Sequence, residues 1–158
     1  MTSEEKKMRQ AVLKGAQLLI DNGLKDWKIN FQGSRKALAT CYAWQKTIKF
    51  SRHFVLVATE EQFEGVTLHE VAHAIVGPGH KHDQVFKRKC IEISPTADYA
   101  KARVNTGIDI VKYALDCPEC GAKSKANKNR HWICSKCKSD GKEVKFLISE
   151  RKLAVNLW

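Results

Sequence analysis

Near the start of the chain, Met8, Val12, Ala16, Leu19 and Ile20 recur at helical intervals, which predicts a helix over roughly residues 3–22. Thr2 and Glu5 have capping-box spacing, and Asn22-Gly23 supplies a stop. The period then falls to two. Trp27, Ile29 and Phe31 alternate with Lys28 and Asn30, after which Gln32-Gly33-Ser34 turns the chain. Segments 36–43 and 47–51 continue this texture, so a small meander of strands is expected. Helical spacing returns with Phe63, Val66, Val71 and Ile75, opened by Thr59 with Gln62 as its capping partner and closed by Gly77-Pro78-Gly79. A third helix is expected from about Asp83 and a fourth after Pro95-Thr96. Beyond Asn105-Thr106-Gly107 the texture changes to short alternating runs, dense lysine and paired cysteines. The fold expected is α+β: a small antiparallel or mixed sheet packed on helices over residues 1–110, with a separate module over 111–158.

A chain of 158 residues can bury roughly 68–70% of its unfolded surface, enough for one core without staples. No apolar run reaches the 18 or so residues of a membrane span. MTSEEKKMRQ is charged in both signs and lacks the apolar core of a secretory signal. The expectation is a protein that is not secreted, at work in the cytoplasm (the host's, if the source is viral), monomeric by default. In that setting six cysteines read as thiols or metal ligands rather than disulfides.

His69-Glu70-Val71-Ala72-His73 is HExxH inside a predicted helix. Histidines four apart share one face a turn apart, so both imidazoles can reach one Zn²⁺. The intervening glutamate can take a proton from an activated water and pass it on. Shuffling six His and ten Glu through this chain yields the bare pattern about 1% of the time, so accident is a poor explanation. A hydrolytic zinc usually takes a third protein ligand, and His80, His82 and Glu92 lie downstream. The long metzincin pattern is excluded: Val76 and Gly79 stand where it needs Gly and His, and the only methionines, Met1 and Met8, lie upstream. Arg52, His53 and Tyr99 are available as oxyanion donors, none with a signal of its own.

The run from His69 to His73, a short loop, and then His82-Asp83-Gln84-Val85-Phe86 resembles the SprT-like (Spartan-like) zinc metalloprotease family. There the third ligand is a histidine just before a helix, with an aromatic four places on. His82 with Phe86 matches that pattern and His80 does not, although the loop from His73 to His82 is shorter than in Spartan-like members. The resemblance implies zinc-dependent peptide-bond hydrolysis with Glu70 as general base and His69, His73 and His82 on the catalytic zinc. It also implies a C-terminal zinc ribbon and a protein substrate associated with, or crosslinked to, DNA.

The paired cysteines speak for themselves. Cys117-Pro118-Glu119-Cys120 and Cys134-Ser135-Lys136-Cys137 are CxxC motifs thirteen residues apart. Four thiolates at this spacing close a tetrahedral Zn²⁺ site with no open position, which is structural. Two zinc ions per chain, one catalytic and one structural, are therefore expected. Cys41 and Cys90 read as buried small hydrophobes.

Charge sharpens the picture. Of the formal +11, residues 117–158 carry +6 (ten Lys/Arg against four Asp/Glu). Lys123, Lys125, Lys128 and Arg130 lie beside Trp132, and cations next to a ring suit single-stranded DNA: phosphate for the charges, a base for the ring. The bland alternative is a solvated basic loop with Trp132 packed on the zinc knuckles. Two rivals to a DNA-directed protease follow: a non-proteolytic zinc-ribbon nucleic-acid-binding protein, and a metal-dependent nuclease using the histidines. Glu70 favours the protease, because HxxxH alone suffices to bind metal.

Overall fold

The computed structural model describes residues 1–94 and 110–151. The helix expected after Pro95-Thr96, and most of the stretch in which a module boundary is expected, lie outside them. The chain divides into two units, and the fold is α+β.

In the first unit, helix α1 (Ser3–Asp21) starts on a complete Thr2/Glu5 capping box. It buries Ala11, Gly15 and Leu19, leaving Val12 and Ile20 at the surface, so the inward stripe is rotated from the one the bulky residues suggest. The reason is close packing. A Cβ on Gly15 would sit 3.1 Å from Cγ1 and Cδ1 of Ile29, so small residues face the sheet.

Strands β1 (Lys28–Gln32), β2 (Ala39–Tyr42) and β3 (Thr47–Ser51) form one sheet. Its order is β1-β3-β2, with β3 parallel to β1 and antiparallel to β2. This is not the meander the alternation suggests. Ile48, Phe50 and Ser51 are fully buried and Thr47 nearly so, and a strand buried along most of its length takes the centre of a sheet. The half-exposed β1 and β2 are left at the edges. A 3-10 turn (Ala43–Gln45) joins β2 to β3.

Helix α2 (Arg52–Val57) follows β3 directly, capped by Ser51. It has no counterpart in the sequence pattern, since six residues are too few for a helical period to register. Helix α3 (Glu60–Val76) opens on the Thr59/Gln62 capping box and buries every residue from Gly65 to Ala72. Such all-round burial belongs to a helix inside a domain; α3 packs against α1, β2 and the next helix, α4 (Gln84–Ile93). Asp83 caps α4 by accepting from the N–H groups of Val85 and Phe86. The core joins Ile48, Phe50, Phe54, Phe63, Val66 and Val71, with the Phe50 and Phe63 rings 4.8 Å apart. Ala72, Phe86 and Cys90 form a smaller cluster between α3 and α4.

The second unit is a three-stranded antiparallel sheet of β4 (Tyr113–Asp116), β5 (Lys123–Ala126) and β6 (Leu147–Glu150), in the order β5-β4-β6. A single turn of helix, α5 (Ser135–Ser139), begins at Cys134. Ile110, Leu115 and Ala126 are buried in this unit, but its hydrophobic cluster is built on cysteines. Cys117, Cys134 and Cys137 are buried together, with Cys120, Ala122, Val144 and Phe146 packed around them. Gly121 takes φ +67° after the first cysteine pair, a conformation that suits glycine.

Candidate active site and metal centres

Helix α3 places His69 and His73 one turn apart, with Glu70 between them and almost fully buried. The loop after α3 returns through Gly77, at φ +84°, so that His82 arrives immediately before the Asp83 cap of α4. The Nε2 atom of His82 lies 3.1 Å from that of His73 and 3.2 Å from that of His69. Three nitrogens around a tetrahedral zinc, at 2.0–2.1 Å each, stand about 3.3 Å apart. The donor set therefore fits such an ion.

Phe86 builds the wall behind the three rings. Fully buried, it stacks on His73 at 4.2 Å and 24° and meets His69 and His82 edge-on at 4.9 and 5.0 Å. Burial, then the neighbouring His73 and His82, lowers His69 to about 3. Burial and His82 lower His73 to about 4, with the His80 backbone opposing. Both imidazoles are therefore neutral at physiological pH, as metal ligands must be. Nδ1 of His69 is buried without a hydrogen-bond partner among the described residues, so ring packing holds this side chain.

Burial raises Glu70 to about 7, and the backbone N–H of Cys41 pulls the other way. That N–H belongs to β2, which forms one wall of a cleft of about 590 Å³ whose other wall carries His69, Glu70, His73 and His82. Cys41 is in the expected strand but is only half-buried at this cleft, because β2 is an edge strand. Burial and the adjacent Glu70 push its thiol to about 12. Cys90 is buried between α3 and α4. The cleft wall formed by β2 was invisible to motif reading: Cys41, Tyr42 and Trp44 carry no spacing signal, and only their place on an edge strand brings them here.

The other candidates lie elsewhere. His80 borders the cleft but turns Nδ1 to Oδ2 of Asp83 at 2.7 Å. Glu92 is exposed on α4 and pairs with Lys89 at 2.7 Å. Arg52 and His53 start α2 and do not line the cleft, and Tyr99 lies outside the described residues.

In the second unit, Sγ of Cys117 lies 3.6 Å from that of Cys137, and Sγ of Cys120 lies 3.7 Å from that of Cys134. All four donor atoms fall within 4.8 Å of one another. Tetrahedral Zn–S bonds of 2.3 Å put sulfurs about 3.8 Å apart, so this set also fits zinc. The backbone N–H of Cys120 is the main influence lowering the Cys117 thiol to about 7. All six cysteines are free thiols.

The basic residues of the ribbon do not form one patch of bare cations. Lys123 and Lys125 lie on β5, and Lys123 sits 3.6 Å from Asp116. Lys128 and Arg130 follow in the loop. Arg130 lies over the Trp132 ring at 4.0 Å, and the indole N–H donates to the Lys128 carbonyl at 3.2 Å. Trp132 is half-buried, with one ring face already taken by the guanidinium.

A helix carrying two histidines and a glutamate, completed by a third histidine ahead of the next helix, defines a candidate metallopeptidase-like centre. The model of the SprT-like family matches residues 9–106, which contain that whole constellation. The chain belongs to the SprT-like family, which is associated with metal-dependent, peptidase-like function. No curated protein matches the chain. Among the described residues, no helix is long and apolar enough to cross a membrane.

Proposed function

We propose that the protein is a zinc-dependent metalloprotease of the HExxH type, directed to DNA-associated proteins by its basic ribbon. The observation that carries this reading is the convergence of three imidazoles, with His69 and His73 held neutral by burial, beside a buried carboxyl. His69, His73 and His82 would hold the ion, and a bound zinc supplies Lewis acidity toward water and the peptide carbonyl. Glu70 then accepts the proton of the attacking water and delivers it to the departing amine. In the metal-free chain burial raises this carboxyl, which favours proton uptake, and a bound cation would draw it back down and favour proton release. The Cys41 N–H orients this carboxyl. The remaining outward peptide groups of β2, an edge strand, offer partners along which an extended substrate can lie. The four cysteines would hold a second, structural zinc. Four of the six cysteines cluster with metal-ligand geometry, and this use of cysteine suits work in a reducing cytoplasm.

The test is cleavage of a protein bound to single-stranded DNA by the zinc-loaded chain, with Glu70→Gln as its partner. The variant should keep both zinc ions and lose about 100- to 10,000-fold in rate. Undiminished cleavage by the variant would remove Glu70 from its role. Single-stranded DNA should bind through residues 111–158 and weaken steeply with salt; salt-insensitive binding would remove the ribbon from DNA recognition. Nuclease activity unaffected by Glu70→Gln would favour the metal-dependent nuclease instead.

A further inference from the structure

Resting on the protease reading above, we propose that Trp44 is a specificity-determining residue. Its indole would form the platform on which a large apolar or aromatic side chain of the substrate docks next to the scissile peptide. Trp44 is 91% exposed, the most exposed large hydrophobic side chain among the described residues. It lies in the 3-10 turn that continues β2, and it lines the same cleft as Glu70 and the histidine cluster. An indole left in water, with no packing role, is free to bury its surface against a partner. Its position on a connection held at both ends by paired strands fixes where that partner must be: β2 and β3 pair up to Tyr42 and Thr47, so the turn cannot swing away from the cleft.

Two observations favour a peptide over a nucleic acid as the occupant. Stacking of bases is accompanied by several cations that take the phosphates, yet Lys81 is the one Lys or Arg among the described residues lining the cleft, and the cations nearest Trp44 in the chain are engaged. Lys46 is ion-paired with Asp26, and Lys49 lies over the Tyr42 ring at 4.5 Å. The strand leading into Trp44 is also a sheet edge running past the buried Glu70. A peptide added along that edge would carry alternate side chains toward this end of the cleft.

The experiment compares pairs of fluorogenic peptides that differ only in Phe or Ala at one position flanking the scissile bond, scanned over both sides. The zinc-loaded full chain should show a kcat/KM preference for Phe of about tenfold at one position, the size of a ring–ring contact. Trp44→Ala should abolish that preference and Trp44→Phe should retain most of it. Thermal unfolding should be unchanged in both variants, because the ring packs on nothing. The same peptides are then titrated, by fluorescence anisotropy, into zinc-loaded Glu70→Gln and into Glu70→Gln/Trp44→Ala. The Phe preference should appear in binding to the first and vanish in the second. A preference that survives Trp44→Ala in both measurements overturns the proposal while leaving the protease standing. Absence of any hydrolysis, with a Trp44-dependent binding preference, overturns the protease reading and keeps the platform. Loss of affinity for oligo-dT in Trp44→Ala, with peptide preference intact, reassigns the ring to nucleic acid.

Discussion

Three side chains on α3 set the electrostatics of the site, and their protonation gives an accessible check on it. In the folded, metal-free chain His69 and His73 fall to about 3 and about 4 from an ordinary 6.5. The unfolded chain therefore binds protons at these positions that the folded chain refuses, and stability falls as the pH drops from about 6.5 toward 4. Glu70, raised from 4.5 to about 7, works in the opposite direction. Its folded form is protonated first, so its contribution grows as the pH falls through 7 toward 4.5 and is lost as the pH rises through 7. Two imidazoles outweigh one carboxyl, and the net effect is acid destabilisation. Urea unfolding of the chelated protein at pH 7, 6 and 5 should show this, and Glu70→Gln should steepen it by removing the opposing group. Identical slopes in the two proteins would contradict the burial of Glu70. At this scale HExxH was fully legible, because two histidines and a glutamate within five residues of one helix need no tertiary information. The preference for His82 over His80 was legible only through the resemblance, by its spacing to Phe86, and not from the residue types themselves. Two residues apart in one loop, they are separated in the structure by what each meets: Asp83 for His80, and the other two imidazoles for His82.

Among the elements, α4 matters more than its length suggests. It carries no proposed ligand, yet it brings Phe86 against all three histidine rings and seals the gap to α3 with Cys90. Phe86→Ala should destabilise the chain by about 3–5 kcal/mol, the range for emptying an aromatic core position. It should also speed zinc loss from the histidines, while Phe86→Leu should fill most of the void and retain the ion better. Urea midpoints and the rate of zinc transfer to a chelator measure the two effects; equal zinc retention in both variants would show that the ring wall does not hold the ligands. The starts of α1, α3 and α4 were readable because caps are local chemistry: Thr2/Glu5, Thr59/Gln62 and Asp83 all act as their spacing implies. The strand order was not readable. Alternation in Trp27–Phe31 says which side faces the core, whereas the central place of β3 follows from how completely Ile48 and Phe50 are enclosed by the helices.

The two units of the molecule rest on different physics. Residues 1–94 own an aliphatic and aromatic core, whereas the cluster at the centre of residues 110–151 is built on cysteines. Metal binding to such a site is worth about 10–16 kcal/mol in small zinc modules and serves as their folding free energy. A strong chelator should therefore unfold residues 110–151 while residues 1–94 keep their hydrogen-exchange protection, and zinc analysis before treatment should return two ions per chain. Protection of the β4 and β6 amides that survives complete zinc removal would show that the ribbon folds without its metal. Charge belongs to this scale too. More than half of the formal excess lies on the last 42 residues, but Arg130 and Lys123 there already have partners.

By itself, the sequence determined the chemistry that is written in short spacings: HExxH on one helix, two CxxC pairs, capped helix starts, and an α+β fold with a cysteine-bound module behind it. Each depends on residues within a turn or a loop of one another, so local geometry is enough. Only the tertiary structure brought His82, favoured by the resemblance, against the other two imidazoles, and it alone decided which strand lies at the centre of the sheet, how strongly Glu70 is desolvated, and that Cys41 and Trp44 face the cleft. Those outcomes depend on contacts between segments far apart in the chain, and burial, which sets both pKa and exposure, exists only after the segments have packed.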